Sequence, residues 1–251
     1  MVKGFDSFKT WFHGFEEQYT IIGGTACDIL MADEGLNFRA TKDIDLVLIV
    51  EALTAEFGRR FWAYIQKAEY QHCSKSTGLP QFYRFSRPKS DAYPAMIELF
   101  SRKVDVIALP DDAVLTPLPI DEGISSLSAI LLDDDYYSFL LSGRVQVDDV
   151  TVLGPEYLIP FKAKAWLDLS ERKSKGEQVD SRDVRKHRND VFRLTDLVNP
   201  EQRISVPETV LNDMKRFIEA MRTEQIDLKQ LDIVGRKQED ILKELQHMYC
   251  I

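Results

Sequence analysis

The sequence predicts an α+β fold, with a mixed-sheet α/β domain over residues 1–155 followed by an α-helical domain over residues 156–251. Two changes of pattern support this division. Between residues 81 and 152 the apolar residues follow strand periodicity, whereas beyond Gly154-Pro155 they recur at helical spacing. The chain has 251 residues, 44% of them hydrophobic, which is enough to bury a substantial core.

The beginning of the chain alternates between helices and strands. An amphipathic first helix is predicted by four phenylalanines at helical spacing, namely Phe5, Phe8, Phe12 and Phe15. The next elements are a strand, a helix that Thr25 caps, a second strand and a second helix, over Tyr19–Ile22, Thr25–Glu34, Asp43–Val50 and Ala52–Glu69.

Short strands are predicted between residues 81 and 152. Their ranges are Gln81–Ser86, Ala95–Phe100, Leu127–Leu132, Tyr136–Leu141 and Val145–Val152. The acidic run Asp133–Asp135 lies between two apolar segments and predicts a hairpin turn, and Ser142-Gly143 marks another.

The second half of the chain has the 3.6-residue period of amphipathic helices. We expect helices over Phe161–Arg172, Asp183–Leu197, Val210–Met221 and Ile241–Met248. The domain boundary is therefore expected near residue 155.

Composition excludes several classes of protein. The net charge of -9 gives no overall basic field for nucleic acid. Cys27, Cys73 and Cys250 are odd in number, widely spaced and without a CxxC pair, which favours reduced thiols in a cytosolic protein. The first residues lack a long uncharged apolar run and no stretch has transmembrane length, so we expect a cytoplasmic protein without membrane contact.

Two carboxylates stand at the start of the strand predicted from residue 43. Side chains alternate between the faces of a strand, so Asp43 and Asp45 project from the same face, roughly 7 Å apart along the backbone. Ile44 and Leu46 belong to the opposite, apolar face. Neighbouring carboxylates repel each other unless a cation lies between them. The pair therefore predicts a metal site.

Gly23 and Gly24 stand between a predicted strand and a predicted helix. The N–H groups and the positive dipole end at such a helix start can hold a phosphate. A glycine pair also ends many strands for steric reasons alone. Near Asp43 and Asp45 the phosphate interpretation gains support, because Mg²⁺ combines a few carboxylates with phosphate oxygens of the substrate.

The amino-acid sequence of this region is similar to that of a known family. Gly23-Gly24-Thr25 followed by Arg39-Ala40-Thr41-Lys42-Asp43-Ile44-Asp45-Leu46 resembles the signature of the polymerase-β-like nucleotidyltransferase superfamily. The long spacer and the Arg-x-Thr-x-Asp-Ile-Asp-Leu pattern look most like the AbiEii-type toxins of bacterial abortive-infection and toxin–antitoxin systems. The resemblance is specific over residues 20–50.

The resemblance implies a third carboxylate on a neighbouring strand. Glu98 is the expected residue, because it is charged within an otherwise apolar strand and a buried carboxylate needs a partner such as a shared metal. Asp105 is the alternative. In the alternative without a functional role, Glu98 lies at a sheet edge and faces solvent.

The resemblance also implies a lysine that contacts the triphosphate from the first helix of the helical half. Lys162 and Lys164 are two residues apart and face different sides of a helix, so one of them points towards a cleft. We expect Lys164, one helical turn before Asp168; a solvated helix face is the alternative. In Arg185–Asp190 His187 occupies the place of the family's first acid, which leaves the roles of His187 and Asp190 open.

The function implied is transfer of a nucleoside monophosphate from a nucleoside triphosphate (NTP), dependent on Mg²⁺ (or Mn²⁺). The acceptor would be an RNA end (tRNA) or a protein hydroxyl, and the protein would be a toxin with a cognate antitoxin. The expected catalytic and metal-binding residues are Asp43, Asp45 and Glu98. The expected nucleotide-binding residues are Gly23, Gly24, Thr25, Arg39, Lys42 and Lys164.

Two other functions remain open. Paired carboxylates also serve magnesium-dependent phosphodiesterases, and a degenerate nucleotidyltransferase fold can act as a binding module. For an RNA acceptor, the one obvious basic cluster comprises Arg182, Arg185, Lys186, Arg188 and Arg193, which equally suits a solvated helix balanced by nearby acids.

Overall fold

The structure, a computed structural model, describes residues 1–75, 81–102, 116–117, 130–131 and 133–251. The described residues fall into two compact units. The first comprises those within Met1–Asp121 and Arg144–Leu153, and the second those within Glu122–Gly143 and Gly154–Ile251.

The first unit contains the sheet. Its helices are α1 (Phe5–Phe12), α2 (Gly23–Asp33) and α3 (Ala55–Lys67). Its strands are β1 (Tyr19–Ile22), β2 (Asp43–Leu48), β3 (His72–Lys75), β4 (Gln81–Ser86), β5 (Met96–Ser101), β6 (Thr116–Pro117), β7 (Arg144–Val147) and β8 (Val150–Leu153).

Within the described ranges these strands form one eight-stranded sheet in the order β6-β3-β4-β5-β2-β1-β8-β7. The strand β2 is antiparallel to β1 and parallel to β5, while β4 is antiparallel to β5. The sheet is therefore mixed, and the predicted α+β class is confirmed. The strand β2, which carries the acidic motif, has a neighbour on each side.

Aromatic side chains form the core between α1 and α3. Phe8 and Phe12 are fully buried, and the ring of Phe12 lies 5.6 Å from that of Phe57 and 6.0 Å from that of Phe61. Helix α1 ends at Phe12, because His13 leaves the helical region with a ψ of 129° and Gly14 follows with a φ of 88°. Phe15 is therefore outside the first helix, contrary to the prediction.

The second unit is helical. It comprises α4 (Asp134–Ser142), α5 (Pro155–Ser174), α6 (Ser181–Leu194), α7 (Glu208–Met221) and α8 (Gln238–Met248). The predicted helices after residue 155 are all present, with bounds that differ by a few residues.

The prediction of a strand over Tyr136–Leu141 is wrong, since these residues lie in α4. The Asp133 carboxylate accepts hydrogen bonds from the N–H groups of Asp135 (2.9 Å) and Tyr136 (3.2 Å), so it caps this helix. The acidic run is a helix start, not the predicted hairpin turn. The strand predicted over Leu127–Leu132 falls mostly outside the described residues, and Ile130 and Leu131 are helical.

A tight turn divides the segment Val145–Val152, for which the sequence predicts a single strand. Asp148 and Asp149 both have positive φ, at 49° and 59°, and they connect the antiparallel strands β7 and β8. Two successive left-handed residues are the geometry of a type I′ hairpin turn. Aspartate tolerates that region better than most residues.

Helix α5 contains a proline, Pro160, and still runs from Pro155 to Ser174. Proline has no N–H, so the carbonyl of Glu156 loses its helical donor. The hydroxyl of Tyr249 donates to this carbonyl at 2.6 Å. The Tyr249 side chain thus supplies the hydrogen bond that the helix lacks at Glu156. Glu156 lies before Phe161, where the sequence predicts that the helix begins.

In the part of the chain that the structure describes, no helix combines the length and the apolar character needed to cross a membrane.

Candidate functional site

Helix α2 begins at Gly23, directly after β1 ends at Ile22. Gly23 has a φ of 71°, which turns the chain from the strand into the helix in a region that L side chains rarely adopt. The glycine pair is thus the first turn of the helix, where backbone N–H groups lack helical acceptors. These N–H groups are the feature that the phosphate prediction requires.

Thr25 has a different role from the one expected. The N-cap residue of α2 is Ile22, which makes no side-chain cap hydrogen bond, and Thr25 lies inside the helix, so the prediction that Thr25 caps it is wrong. The Thr25 side chain is fully buried, and its hydroxyl donates to the carbonyl of Asp43 at 2.5 Å. The first turn of α2 is therefore tied to the first residue of β2.

Gly23 and Asp45 are in very close approach. A Cβ atom placed on Gly23 would lie 1.8 Å from Oδ2 of Asp45 and 2.8 Å from its Cγ. No side chain larger than hydrogen fits at residue 23 while Asp45 keeps this position. The two motifs that the sequence pairs, Gly-Gly and Asp-x-Asp, therefore meet in space.

The loop that leads into β2 also lies against this helix start. A Cβ atom on Gly24 would lie 2.9 Å from Oγ1 of Thr41 and 3.4 Å from a terminal nitrogen of Arg39. The guanidinium of Arg39 also lies over the ring of Phe38, 4.9 Å from its centroid. Lys42 is exposed. Arg39 thus brings positive charge to the start of α2.

The acids share one face of the sheet. In the parallel pair β2 and β5, Asp45 lies opposite Glu98, and Asp43 lies two residues before Asp45 on the same strand. Ile44 and Ile97, which alternate with them, are fully buried on the other face. Asp43, Asp45 and Glu98 therefore project from a half-buried face, as the sequence predicts for the first two.

Glu98 has a protein partner, Arg84 of β4. Arg84 lies opposite Glu98 in the antiparallel pair β4 and β5. Its Nε donates to Oε1 of Glu98 at 2.7 Å, and a terminal nitrogen lies 2.6 Å from the same oxygen. Glu98 lies on an inner strand, so it is not at the sheet edge. Arg84 was missed from the sequence. The one sequence signal for its role is that Arg84 lies on the predicted strand Gln81–Ser86, whose side chains alternate between the two faces.

The carboxylates supply only part of a metal shell. Among the described residues, no three His, Cys, Asp or Glu side chains are arranged to hold a metal ion together. Asp43 and Asp45 nevertheless suit Mg²⁺, which takes one or two carboxylates and completes its shell with substrate phosphates and water. Glu98 lies alongside but forms an ion pair with Arg84. Asp105, the alternative third acid, lies outside the described residues.

A surface cavity of about 920 Å³ opens at the same end of the sheet. Met96, which lies opposite Asp43 in register, is part of its lining. The lining also includes cationic and acidic side chains, namely Lys3, Arg87, Lys89 and Asp91. Lys3 pairs with Asp91, and Lys89 pairs with Glu69 at 3.0 Å. The cavity therefore reaches the register neighbour of Asp43, and two of its three cationic side chains are paired with carboxylates.

The two candidate lysines have separate surroundings within the helical unit. Lys162 is buried and its Nζ lies 3.0 Å from Oδ2 of Asp190, which is fully buried. Lys162 thus belongs to the core that joins α5 to α6, and Asp190 is its partner. Asp190 therefore has a structural role, and a further role for it stays open.

Lys164 lies between two carboxylates. Its Nζ is 3.2 Å from Asp168 and 3.4 Å from Asp213. Partial burial by itself lowers the pKa of Lys164, but these two carboxylates outweigh it and hold that pKa above the usual value. Asp213 also accepts a hydrogen bond from the Tyr136 hydroxyl at 3.2 Å. A nucleotide contact for Lys164 stays a prediction.

Part of the basic cluster on α6 is already paired. Arg182 contacts Asp180 at 2.8 Å, and Arg188 contacts Glu224 at 2.7 Å. These pairs favour the interpretation of a balanced helix surface over that of an RNA-binding patch.

Comparisons with known proteins give little to set beside this geometry. No family model matches the chain. No curated protein matches it either. Among solved structures, it is similar to an antigenic nucleotidyltransferase-like protein from Paracoccidioides brasiliensis, with 16% identity over 90% of this chain and 92% of that chain and a TM-score of 0.40. A likeness at that level carries no weight for function.

Proposed function

We propose that this chain is a nucleotidyltransferase, which moves a nucleoside monophosphate from an NTP to an acceptor hydroxyl. The observation that carries the proposal is the close approach of Gly23 to Asp45, where a Cβ atom on the glycine would lie 1.8 Å from Oδ2 of the aspartate. This approach joins a helix start suited to phosphate and a carboxylate pair suited to Mg²⁺. Either feature alone is common, whereas together they match the substrate, a magnesium triphosphate.

The first turn of α2 would bind the phosphates. Its N–H groups from Gly23 and Gly24, with the positive end of the helix dipole, favour negative charge there. Arg39, whose guanidinium lies beside Gly24, would add a fixed positive charge. The contact between Thr25 and Asp43 would hold the helix start and the acids in one geometry.

Asp43 and Asp45 would hold the divalent cation, Mg²⁺ or Mn²⁺. When bound, such an ion neutralises the phosphates and lowers the pKa of a hydroxyl nucleophile. The acceptor oxygen would form a bond to the α-phosphorus while the bond from that phosphorus to the α,β-bridging oxygen breaks. Pyrophosphate would leave, and the hydroxyl proton would pass to water. Positioning by the protein and charge neutralisation supply most of the rate acceleration in such transfers.

Two arguments support the proposed acceptor. The AbiEii-like sequence of residues 39–46 suggests an RNA end, such as that of a tRNA, or a protein hydroxyl as the acceptor. It also suggests a cytoplasmic toxin that a cognate antitoxin controls. The cavity that Met96 lines, next to Asp43 in register, would offer room for the acceptor beside the start of β2.

One observation favours a second candidate function, nucleotide binding without transfer. Glu98, the expected third catalytic acid, forms an ion pair with Arg84 at 2.6 Å. The guanidinium occupies the oxygen, Oε1, that an acceptor hydroxyl would have to approach. In this second interpretation the fold is a binding module that retains the phosphate and metal features.

The two candidates differ in where a radioactive label goes. The protein is incubated with each NTP labelled at the α-phosphate, Mg²⁺, and total RNA or cell protein. We expect label in one macromolecular fraction, with pyrophosphate released. Label that stays in intact NTP, with NTP bound, supports the binding module. Label released by hydrolysis without pyrophosphate supports a phosphodiesterase. Either of these results contradicts the proposed transfer.

A further inference from the structure

Three neighbouring strands bring three charged side chains into one row. The pairing of β2, β5 and β4 places Asp45 opposite Glu98, and Glu98 opposite Arg84. Directly opposed residues of neighbouring strands project from the same face. Glu98 therefore lies between a carboxylate of the proposed metal site and a guanidinium.

We propose that Arg84 is a positioning residue, which competes with the divalent cation for the carboxylate of Glu98. In the protein without nucleotide, Arg84 holds Glu98 out of the metal shell and leaves Asp43 and Asp45 as the protein ligands. This inference rests on the proposed function, because it takes Asp43 and Asp45 to be the metal site.

The contacts of the pair support competition. The side chains of Arg84 and Glu98 are 19% and 13% exposed, so water screens their attraction only partly. Arginine stays charged at any pH that a protein tolerates, and its planar donors fix the direction of the carboxylate. Two of its nitrogens lie within 2.7 Å of the same oxygen, Oε1. A metal ion that recruits this oxygen has to displace the guanidinium.

The charges on this face fit the same account. Asp43, Asp45 and Glu98 carry like charges on one face, and the ion pair with Arg84 offsets the charge of Glu98. Replacement of Arg84 by a neutral residue frees the carboxylate of Glu98 beside Asp45. The site then offers three acids to a cation, and its affinity for that cation rises.

The test is Mn²⁺ binding to the full chain without nucleotide, measured from the electron paramagnetic resonance signal of free Mn²⁺. We expect Arg84→Gln to tighten binding about tenfold, which corresponds to about 1.4 kcal/mol. In a Glu98→Gln background the same substitution should leave the affinity unchanged. Arg84→Lys, which keeps the charge but not the planar donors, should give an intermediate affinity.

Arg87→Gln is the matched control, because Arg87 follows the end of the same strand and its loss removes the same charge. Unchanged affinity in Arg84→Gln overturns the inference, and so does an equal gain in Arg87→Gln or in the Glu98→Gln background. If Arg84→Gln fails to fold, the double variant with Glu98→Gln and the Arg84→Lys variant still give the comparison. Mn²⁺ binding that does not depend on Asp45 contradicts the proposed function itself, whereas Asp45-dependent binding that ignores Arg84 contradicts the inference alone.

Discussion

At the scale of single residues, Gly23 is constrained twice. Its φ of 71° lies in the left-handed region, and its missing Cβ leaves room for the Asp45 carboxylate. Gly14 shares only the first constraint, because it has a φ of 88° and nothing within 4 Å of an added Cβ. Comparison of the two glycines therefore separates backbone strain from the contact with Asp45.

We expect Gly23→Ala to lower the free energy of unfolding by about 2–4 kcal/mol, the sum of left-handed strain and overpacking against Asp45. Gly14→Ala should cost only the strain, about 1–2 kcal/mol. Urea denaturation of both variants measures the difference. Equal losses would show that Gly23 has no special contact with Asp45, and Asp45→Ala should recover part of the extra loss in Gly23→Ala.

At the scale of elements, α5 depends on a residue from the other end of its unit. Pro160 removes the donor for the Glu156 carbonyl, and the Tyr249 hydroxyl replaces it at 2.6 Å. Tyr249 itself is fully buried, so it can supply this bond only from a fixed position. The end of the chain thus stabilises a kink-prone helix.

Tyr249→Phe should lower the free energy of unfolding by about 1–3 kcal/mol, because it leaves a carbonyl without its donor. In a Pro160→Ala background the backbone N–H of residue 160 is restored, and the same substitution should cost clearly less. Thermal or urea unfolding of the four proteins in this cycle measures the coupling. Costs that are equal in both backgrounds would exclude the hydrogen-bond explanation.

The elements also show how far sequence reasoning extends. The strand, glycine pair and acidic strand over residues 19–48 follow from alternation and spacing, and the structure has them. Residues Tyr136–Leu141 are apolar and aromatic, so their strand prediction follows side-chain type and overlooks Asp133 as a helix cap. The predicted helix start after Pro160 is wrong because the missing donor is replaced by Tyr249, almost 90 residues away.

At the scale of the whole molecule, the site combines local and distant information. Alternation along one strand is enough to put Asp43 and Asp45 on one face. The partner of Glu98 depends on which strands are neighbours and in which register, and a single sequence does not state these. Arg84 could therefore not be assigned to Glu98 from the sequence. The chain's net charge of -9 gives no overall attraction for phosphates, so the proposed site depends on local positive charge such as that of Arg39 beside Gly24.

The most direct test of the central claim is nucleotide transfer by Asp45→Asn. This variant keeps the shape of the side chain and removes one charge of the metal site, so it should fold with equal or slightly higher stability because carboxylate repulsion is relieved. Asp33→Asn is the matched control, because this exposed residue lies at the other end of α2 and undergoes the same chemical change. Transfer of α-labelled nucleotide in the presence of Mg²⁺ should be abolished in Asp45→Asn and unchanged in Asp33→Asn. Full transfer by a folded Asp45→Asn protein would contradict the account.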